Sequence, residues 1–263
     1  MRDLTRIAFF GGIYSNHYAL QAALQIARAK GVDAIWALGD FGAFGPHPDR
    51  SIEILRAAEI PAIQGNYEES LSSAADDCHC GYTDPRDNHY AQLSYDYTKE
   101  KTRPEYLQWM GTLPTSARLE LGNKRLRLCH GSPRRINEFL WKSTTSTPFV
   151  ERMLRDEGAD LIVCTHTGIH WDRLGPDGRG IVNVGALGRP ANDGHTHVWF
   201  TILESGPAGL RVEHVPVEYD HGRLAKEMAE ERLPAEFIET IETGWWTTCL
   251  EILPAKERAL GHY

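Results

Sequence analysis

The sequence holds no apolar run long enough to span a bilayer, no regular cysteine spacing and no surplus of basic residues, and each absence removes a class of function. Residues 1–10 carry two arginines and a brief apolar stretch stopped by Gly11-Gly12, too short for a secretory core or a transmembrane helix. A cytoplasmic protein with no membrane partner is expected. Lys and Arg total 28 against 36 Asp and Glu, a formal charge of −8, whereas a protein that wraps nucleic acid needs the opposite sign to neutralise phosphates. Nucleic acid is therefore not the expected partner. The five cysteines, Cys78, Cys80, Cys129, Cys164 and Cys249, are odd in number and form no disulfide framework, which fits a reducing compartment. Internal repeats and low-complexity segments are also missing.

What is present describes one globular domain over residues 1–263. With 41% apolar and 24% charged residues, a chain of this length buries a full core without disulfides or structural metal. Apolar runs at residues 6–10, 34–38 and 60–63 alternate with helical spacing at 18–30 and 49–58. This β-α-β-α-β rhythm predicts a parallel sheet with helices on its faces. Residues 71–114 read as a polar, aromatic cap with a helix at 104–110. A hairpin is expected at 119–129, a helix at 149–157, a strand at 161–164, a hairpin-rich region through 181–184 and 198–203, and a strand at 212–217. The core thus covers about residues 1–217, and residues 218–263 form a helical tail containing Trp245 and Trp246, which packs on the core or on a second copy in a homo-oligomer.

In such sheets ligands bind beyond the carboxyl ends of the strands. Asp40, Asn66, His130 and His166 each follow an apolar run, and glycines precede Asp40 and Asn66. A carboxylate, an amide oxygen and two imidazoles converging there would suit a divalent Mn, Fe or Zn ion. Arg134 and Arg189 adjoin these loops, and a guanidinium fits phosphoryl oxygens. Cys78-His79-Cys80 has no second Cys or His pair at zinc-type spacing, so a loop turn is expected there.

Four blocks, Ala37-Leu38-Gly39-Asp40-Phe41-Gly42, Gln64-Gly65-Asn66-Tyr67-Glu68, Leu128-Cys129-His130-Gly131 and Thr165-His166-Thr167-Gly168, stand in the order of the GD, GNH(D/E), H and GHTH motifs. Residues 182–190 resemble the segment that follows GHTH. The chain resembles the calcineurin-like metallophosphoesterases, small bacterial type, over about residues 6–203. The resemblance implies an α/β fold, a four-layer α/β/β/α sandwich with two mixed sheets. It also implies metal-activated hydrolysis of a phosphomonoester or phosphodiester on a small phosphorylated substrate, with Asp40, Asn66, His130 and His166 as metal ligands.

Three departures fall on the family's first metal position. Gly12 and Tyr14 stand where DxH has its Asp and His, and Gly168 replaces the last His of GHTH. Only the bridging Asp40 remains there, so one metal site is kept and the second is open. Tyr67 replaces the family's catalytic His, and Glu68 matches the acid beside it; both are candidate catalytic residues. Tyr14, His17, His170, His195 and His197 are candidates for rebuilding the first site. The alternative function is a phosphoesterase-like protein that binds a phosphorylated ligand or metal without turnover.

Overall fold

A computed structural model describes residues 4–207 and 209–262. The chain opens with β1 (Arg6–Phe10), α1 (His17–Ala29), β2 (Ala34–Ala37) and α2 (Pro48–Ala57). β1 and β2 pair in parallel, Ile7 opposite Ala34 through Phe10 opposite Ala37. Asn16 caps α1 by accepting the Ala19 N–H at 3.0 Å, and the helix buries its Ala19, Leu20, Ala23, Leu24 and Ala27 face. The strand expected at 60–63 is corrected to a single bridge between Ala62 and Ala37. Pro61 gives its carbonyl to the Ala37 N–H but has no N–H of its own with which to extend a ladder.

Three helices follow: α3 (Asn66–Ser72), α4 (Pro85–Lys101) and α5 (Pro104–Thr112). The sequence pattern predicts only the last. α4 buries Asp87, Ala91, Ser94, Tyr95 and Thr98, a face too polar to show as an apolar stripe. Its start is nonetheless marked by an Asp84 cap and Pro85 in the first turn.

The second half comprises β3 (Ser116–Leu121), β4 (Lys124–Cys129), α6 (Thr147–Glu157), β5 (Leu161–Cys164), β6 (Trp171–Leu174), β7 (Gly180–Asn183), β8 (Val198–Gly206), β9 (Gly209–Val217), α7 (His221–Glu230), α8 (Ala235–Thr243) and α9 (Ala255–Arg258). One sheet has the order β2-β1-β8-β9 and the other β3-β4-β5-β7-β6. Residues 181–184 and 198–203, expected as one hairpin-rich region, belong to different sheets. β7 pairs with β5 and β6, whereas β8 pairs with β1 and β9.

Side-chain alternation along the strands builds the layers. Ile7 and Phe9 of β1 meet Leu126, Leu128, Leu161, Val163 and Val182 of the other sheet, forming the inter-sheet core. Ala8 and Phe10 point the opposite way, onto the α1 and α2 layer with Leu20, Ala23, Leu24 and Ile52. On the far side, Ile162 and Ile181 pack on Val150, Met153 and Leu154 of α6. The result is the helix-sheet-sheet-helix sandwich with two mixed sheets. In the tail, α7 and α8 join through Leu224, Met228, Phe237 and Ile241, against Tyr18 and Phe44 of the same chain.

Candidate metal centre

Three ligand-type atoms, one each from Asp40, His130 and His166, lie within 4.8 Å of one another, all on buried residues. Asp40 follows β2 with φ of +56°, just after Gly39 at +89°. A Cβ on Gly39 would overlap the Gly65 backbone, and one on Gly65 would overlap Asp40 and His130. The glycines are there to let the two loops touch. His130 follows β4 and places Nδ1 2.6 Å from the Leu38 carbonyl, so Nδ1–H donates and Nε2 turns inward. That Nε2 lies 3.1 Å from Asp40 Oδ2 and 3.1 Å from His166 Nδ1.

With Nδ1 carrying the imidazole proton, three electron-rich atoms face one another, and either a proton or a cation must sit among them. Burial lowers the His130 pKa, but the Asp40 carboxylate outweighs it and holds the group above its usual value. His166 is driven the other way, to about 3, by burial and then by His130. It is neutral, as a metal-binding imidazole must be. One further atom completes the picture. Asn66 Oδ1 is a buried acceptor without a hydrogen-bond partner, at a cost of roughly 1–3 kcal/mol if left so. The Asn66 amide is oriented by Nδ2, which donates to Cys78 O at 2.9 Å and approaches Cys80 Sγ at 3.4 Å. An unpartnered acceptor beside a carboxylate and two imidazoles fits a bound divalent cation.

The loops are locked by Glu68. Its Oε2 accepts the N–H groups of Asp40 at 2.7 Å and Gly65 at 2.8 Å, and its Oε1 accepts that of Phe41 at 2.9 Å. Burial, and then the Asp40 charge, push its carboxyl up to about 7 against these three donors. Tyr67 donates its backbone N–H to Asp40 Oδ1 at 3.2 Å. Its hydroxyl is 2.9 Å from Ser94 Oγ of α4, and burial raises its pKa well above the usual phenol value.

Residues 6–205 match the model of the calcineurin-like phosphoesterase superfamily domain. The chain belongs to that superfamily. It is 25% identical to a metallophosphoesterase from Sphaerobacter thermophilus, covering 92% of this chain and 100% of that one, with a TM-score of 0.68. A hypothetical protein from Pyrococcus horikoshii shares the fold with a TM-score of 0.76 at 21% identity, covering 92% and 99% of the two chains. An uncharacterized protein of Methanocaldococcus jannaschii is 24% identical over 254 residues, 90% of this chain and 98% of that one.

The space beside Gly12 and Gly168 is filled by aromatic rings. A Cβ at Gly12 would fall on the ring of Tyr14, and one at Gly168 would touch the indole of Trp246 at 3.2 Å. Tyr14 stacks edge-on with Phe44, centroids 5.2 Å apart. Burial, and then Asp40, hold its hydroxyl far above the usual phenol pKa. Arg189 is 5% exposed, and its guanidinium lies 4.0 Å from the Trp246 ring and 4.9 Å from that of Phe44. Its Nη2 donates to Thr248 O at 2.7 Å. Tyr14, His166, Gly168, Arg189, Trp246 and Cys249 line a cavity of about 20 Å³ roofed by the tail. Nothing in the sequence announces that Trp246, Thr248 and Cys249 come here, because the contacts bridge long stretches of chain.

The other candidates lie elsewhere. Arg134 is half exposed and pairs with Glu138 at 2.6 Å. His17 faces Glu227 at 3.8 Å. His170 packs on Trp199 and His214, with ring centroids 4.1 and 4.7 Å away, and burial followed by His214 lowers its pKa to about 4. His195 and His197 pair with Asp193 and Glu218. None of these imidazoles joins the Asp40 cluster. The Cys78–Cys80 segment is a turn, with His79 at φ +47°, but its two sulfurs are joined as a disulfide. This corrects the expectation of unpaired cysteines, because the turn brings the sulfurs of neighbouring side chains together.

Proposed function

We propose that the chain is a metal-dependent phosphoesterase using one divalent ion, Mn, Fe or Zn, held by Asp40, Asn66, His130 and His166. Its substrate in this reading is a small phosphomonoester or phosphodiester. The observation that carries it is the buried, unpartnered acceptor Asn66 Oδ1 beside the close approach of Asp40, His130 and His166. One carboxylate, one amide oxygen and two imidazoles suit those ions better than Mg or Ca, which prefer all-oxygen sites.

Such an ion supplies Lewis acidity toward a phosphoryl oxygen and a hydroxide nucleophile near neutral pH. The residues around it set the geometry. Leu38 O fixes the His130 tautomer, and the Tyr67 N–H holds Asp40 Oδ1 so that Oδ2 faces His130. Tyr67 keeps its proton and serves as a hydrogen-bond donor rather than a base. Glu68 anchors both loops, and Arg189, not the surface-paired Arg134, takes the substrate role.

Binding without turnover is the second reading, favoured by the Trp246 roof over the small cavity. Both are tested by metal content together with phosphate release from p-nitrophenyl phosphate and bis(p-nitrophenyl) phosphate, beside a His130→Ala control. One equivalent of metal, lost in the control, with release abolished alongside, supports the enzyme. Metal without release under Mn, Fe and Zn supports the binding protein. A wild-type chain that takes up none of these ions sinks both as metal-centred readings.

A further inference from the structure

Arg189 is a buried cation without an anion. No carboxylate lies within ion-pair distance of it among the described residues; its polar contacts are with Thr248 alone, and two aromatic rings cover its faces. Burying a charge that cannot be given up is costly unless it is paired, and a guanidinium keeps its proton at any physiological pH. Cation–π contacts with Trp246 and Phe44 offset part of that cost, but they neutralise no charge.

The surroundings of this guanidinium do not fit a second metal ion. Tyr14 covers the space beside Gly12, Trp246 covers the space beside Gly168, and both residues line the small cavity with Arg189 and His166. The loops involved are tied rather than loose. Gly12 O accepts the N–H groups of Leu187 and Gly188 at 2.9 Å each, and Asp40 O accepts those of Ile13 and Tyr14 at 2.8 and 3.1 Å. A second ion would have to displace two aromatic rings and settle beside a fixed positive charge. The cavity between Arg189 and His166, about 20 Å³, has room for one water-sized atom, which is also the size of a phosphoryl oxygen.

We infer that Arg189 is a built-in replacement for the cation of the family's first metal position, binding a phosphoryl oxygen across the cavity from His166, so that the chain works with a single metal ion. The inference rests on the phosphoesterase reading above. Its ligand class is a phosphate or phosphoester, taken as a phosphoryl oxygen by a guanidinium on one side and a divalent ion on the other.

The test uses the full chain loaded with excess Mn and titrated with inorganic phosphate by calorimetry, with bound metal counted after desalting. Wild type is expected to hold one Mn and bind phosphate. Arg189→Met is expected to keep that Mn but bind phosphate roughly 10- to 100-fold more weakly, the loss of one charge-assisted contact. Arg189→Lys, which keeps the charge and preserves the fold if the Met variant does not, is expected to fall between them. A second Mn in the wild type overturns the inference whatever the variants do, as does unchanged phosphate affinity in Arg189→Met. Either result leaves the phosphoesterase reading standing. Absence of Mn, and of Fe and Zn supplied in its place, removes that reading, and this inference with it.

Discussion

Replacing Glu68 with Gln separates a structural latch from a catalytic acid. The side chain keeps its volume but has only one acceptor oxygen. Turned toward Asp40 and Gly65, which lie 2.7 and 2.8 Å from Oε2 in the native chain, it leaves the Phe41 N–H, now bonded at 2.9 Å, facing an NH₂ group. One buried donor without an acceptor costs roughly 1–3 kcal/mol. For a chain of about this size each kcal/mol moves the thermal midpoint by about 2–4 °C, so the fall is roughly 2–12 °C. Glu68→Ala strands all three donors and leaves a void, and loses more. Because the released N–H groups belong to the Asp40 turn, Mn affinity is expected to drop in both variants. Thermal unfolding by circular dichroism and Mn titration by calorimetry read the two effects. If Glu68→Gln unfolds within a degree of wild type and binds Mn equally well, yet loses turnover, the latch argument is wrong and Glu68 is a chemical group.

Trp246→Ala opens the roof over His166 and Gly168; it is expected to cost about 3–5 kcal/mol of stability while raising kcat/KM for an aryl phosphate, read by urea unfolding and steady-state kinetics. Asp160 accepts from Arg125 N and Nε at 3.0 Å each and from Nη2 at 3.2 Å, and Arg125 first among the causes holds its carboxyl below the usual value. A depressed carboxyl stabilises the fold above the ordinary value of 3.8 and loses that contribution as pH falls through its folded pKa. Arg125 is 61% exposed, so solvent screens the pair and its contribution is small. Urea unfolding of Asp160→Asn should therefore show a small deficit at pH 7 that vanishes in strong acid.

The candidate ligands were legible because Asp40, His130 and His166 each follow a strand and Asn66 follows a turn glycine at the start of α3, all in chain order. Asp40 and Asn66 carry their turn glycines with them, and His130 and His166 follow strands whose last residues, Leu128-Cys129 and Val163-Cys164, are buried. Arg134 and Arg189 were indistinguishable in sequence, since both adjoin ligand loops. Glu138, four residues on, captures the first at the surface, while Phe44 and Trp246 enclose the second. Helix α4 stayed hidden because its buried face is built from Ser94, Thr98 and Asp87, which hold backbone and hydroxyl groups rather than pack as an apolar stripe. Ser94, for example, takes the Phe44 N–H at 2.8 Å as well as meeting the Tyr67 hydroxyl. A pattern search weighs hydrophobicity, and these residues are buried for their hydrogen bonds.

The departures from the family pattern make electrostatic sense only together. By the resemblance, the first metal position combines a divalent cation with the carboxylate of DxH, a local sum of one positive charge. In the proposed reading Gly12 stands where that carboxylate would be, Tyr14 and Trp246 fill the space with rings that carry no net charge, and Arg189 brings one positive charge of its own. On that reading the field at a phosphoryl oxygen beside His166 keeps its sign, while the group that supplies it changes from an exchangeable ion to a side chain fixed by Thr248. A guanidinium orients and neutralises an oxyanion as well as an ion does, but it does not lower the pKa of water as a metal does. In the proposed reading the water-activating role therefore falls wholly on an ion held by Asp40, Asn66, His130 and His166.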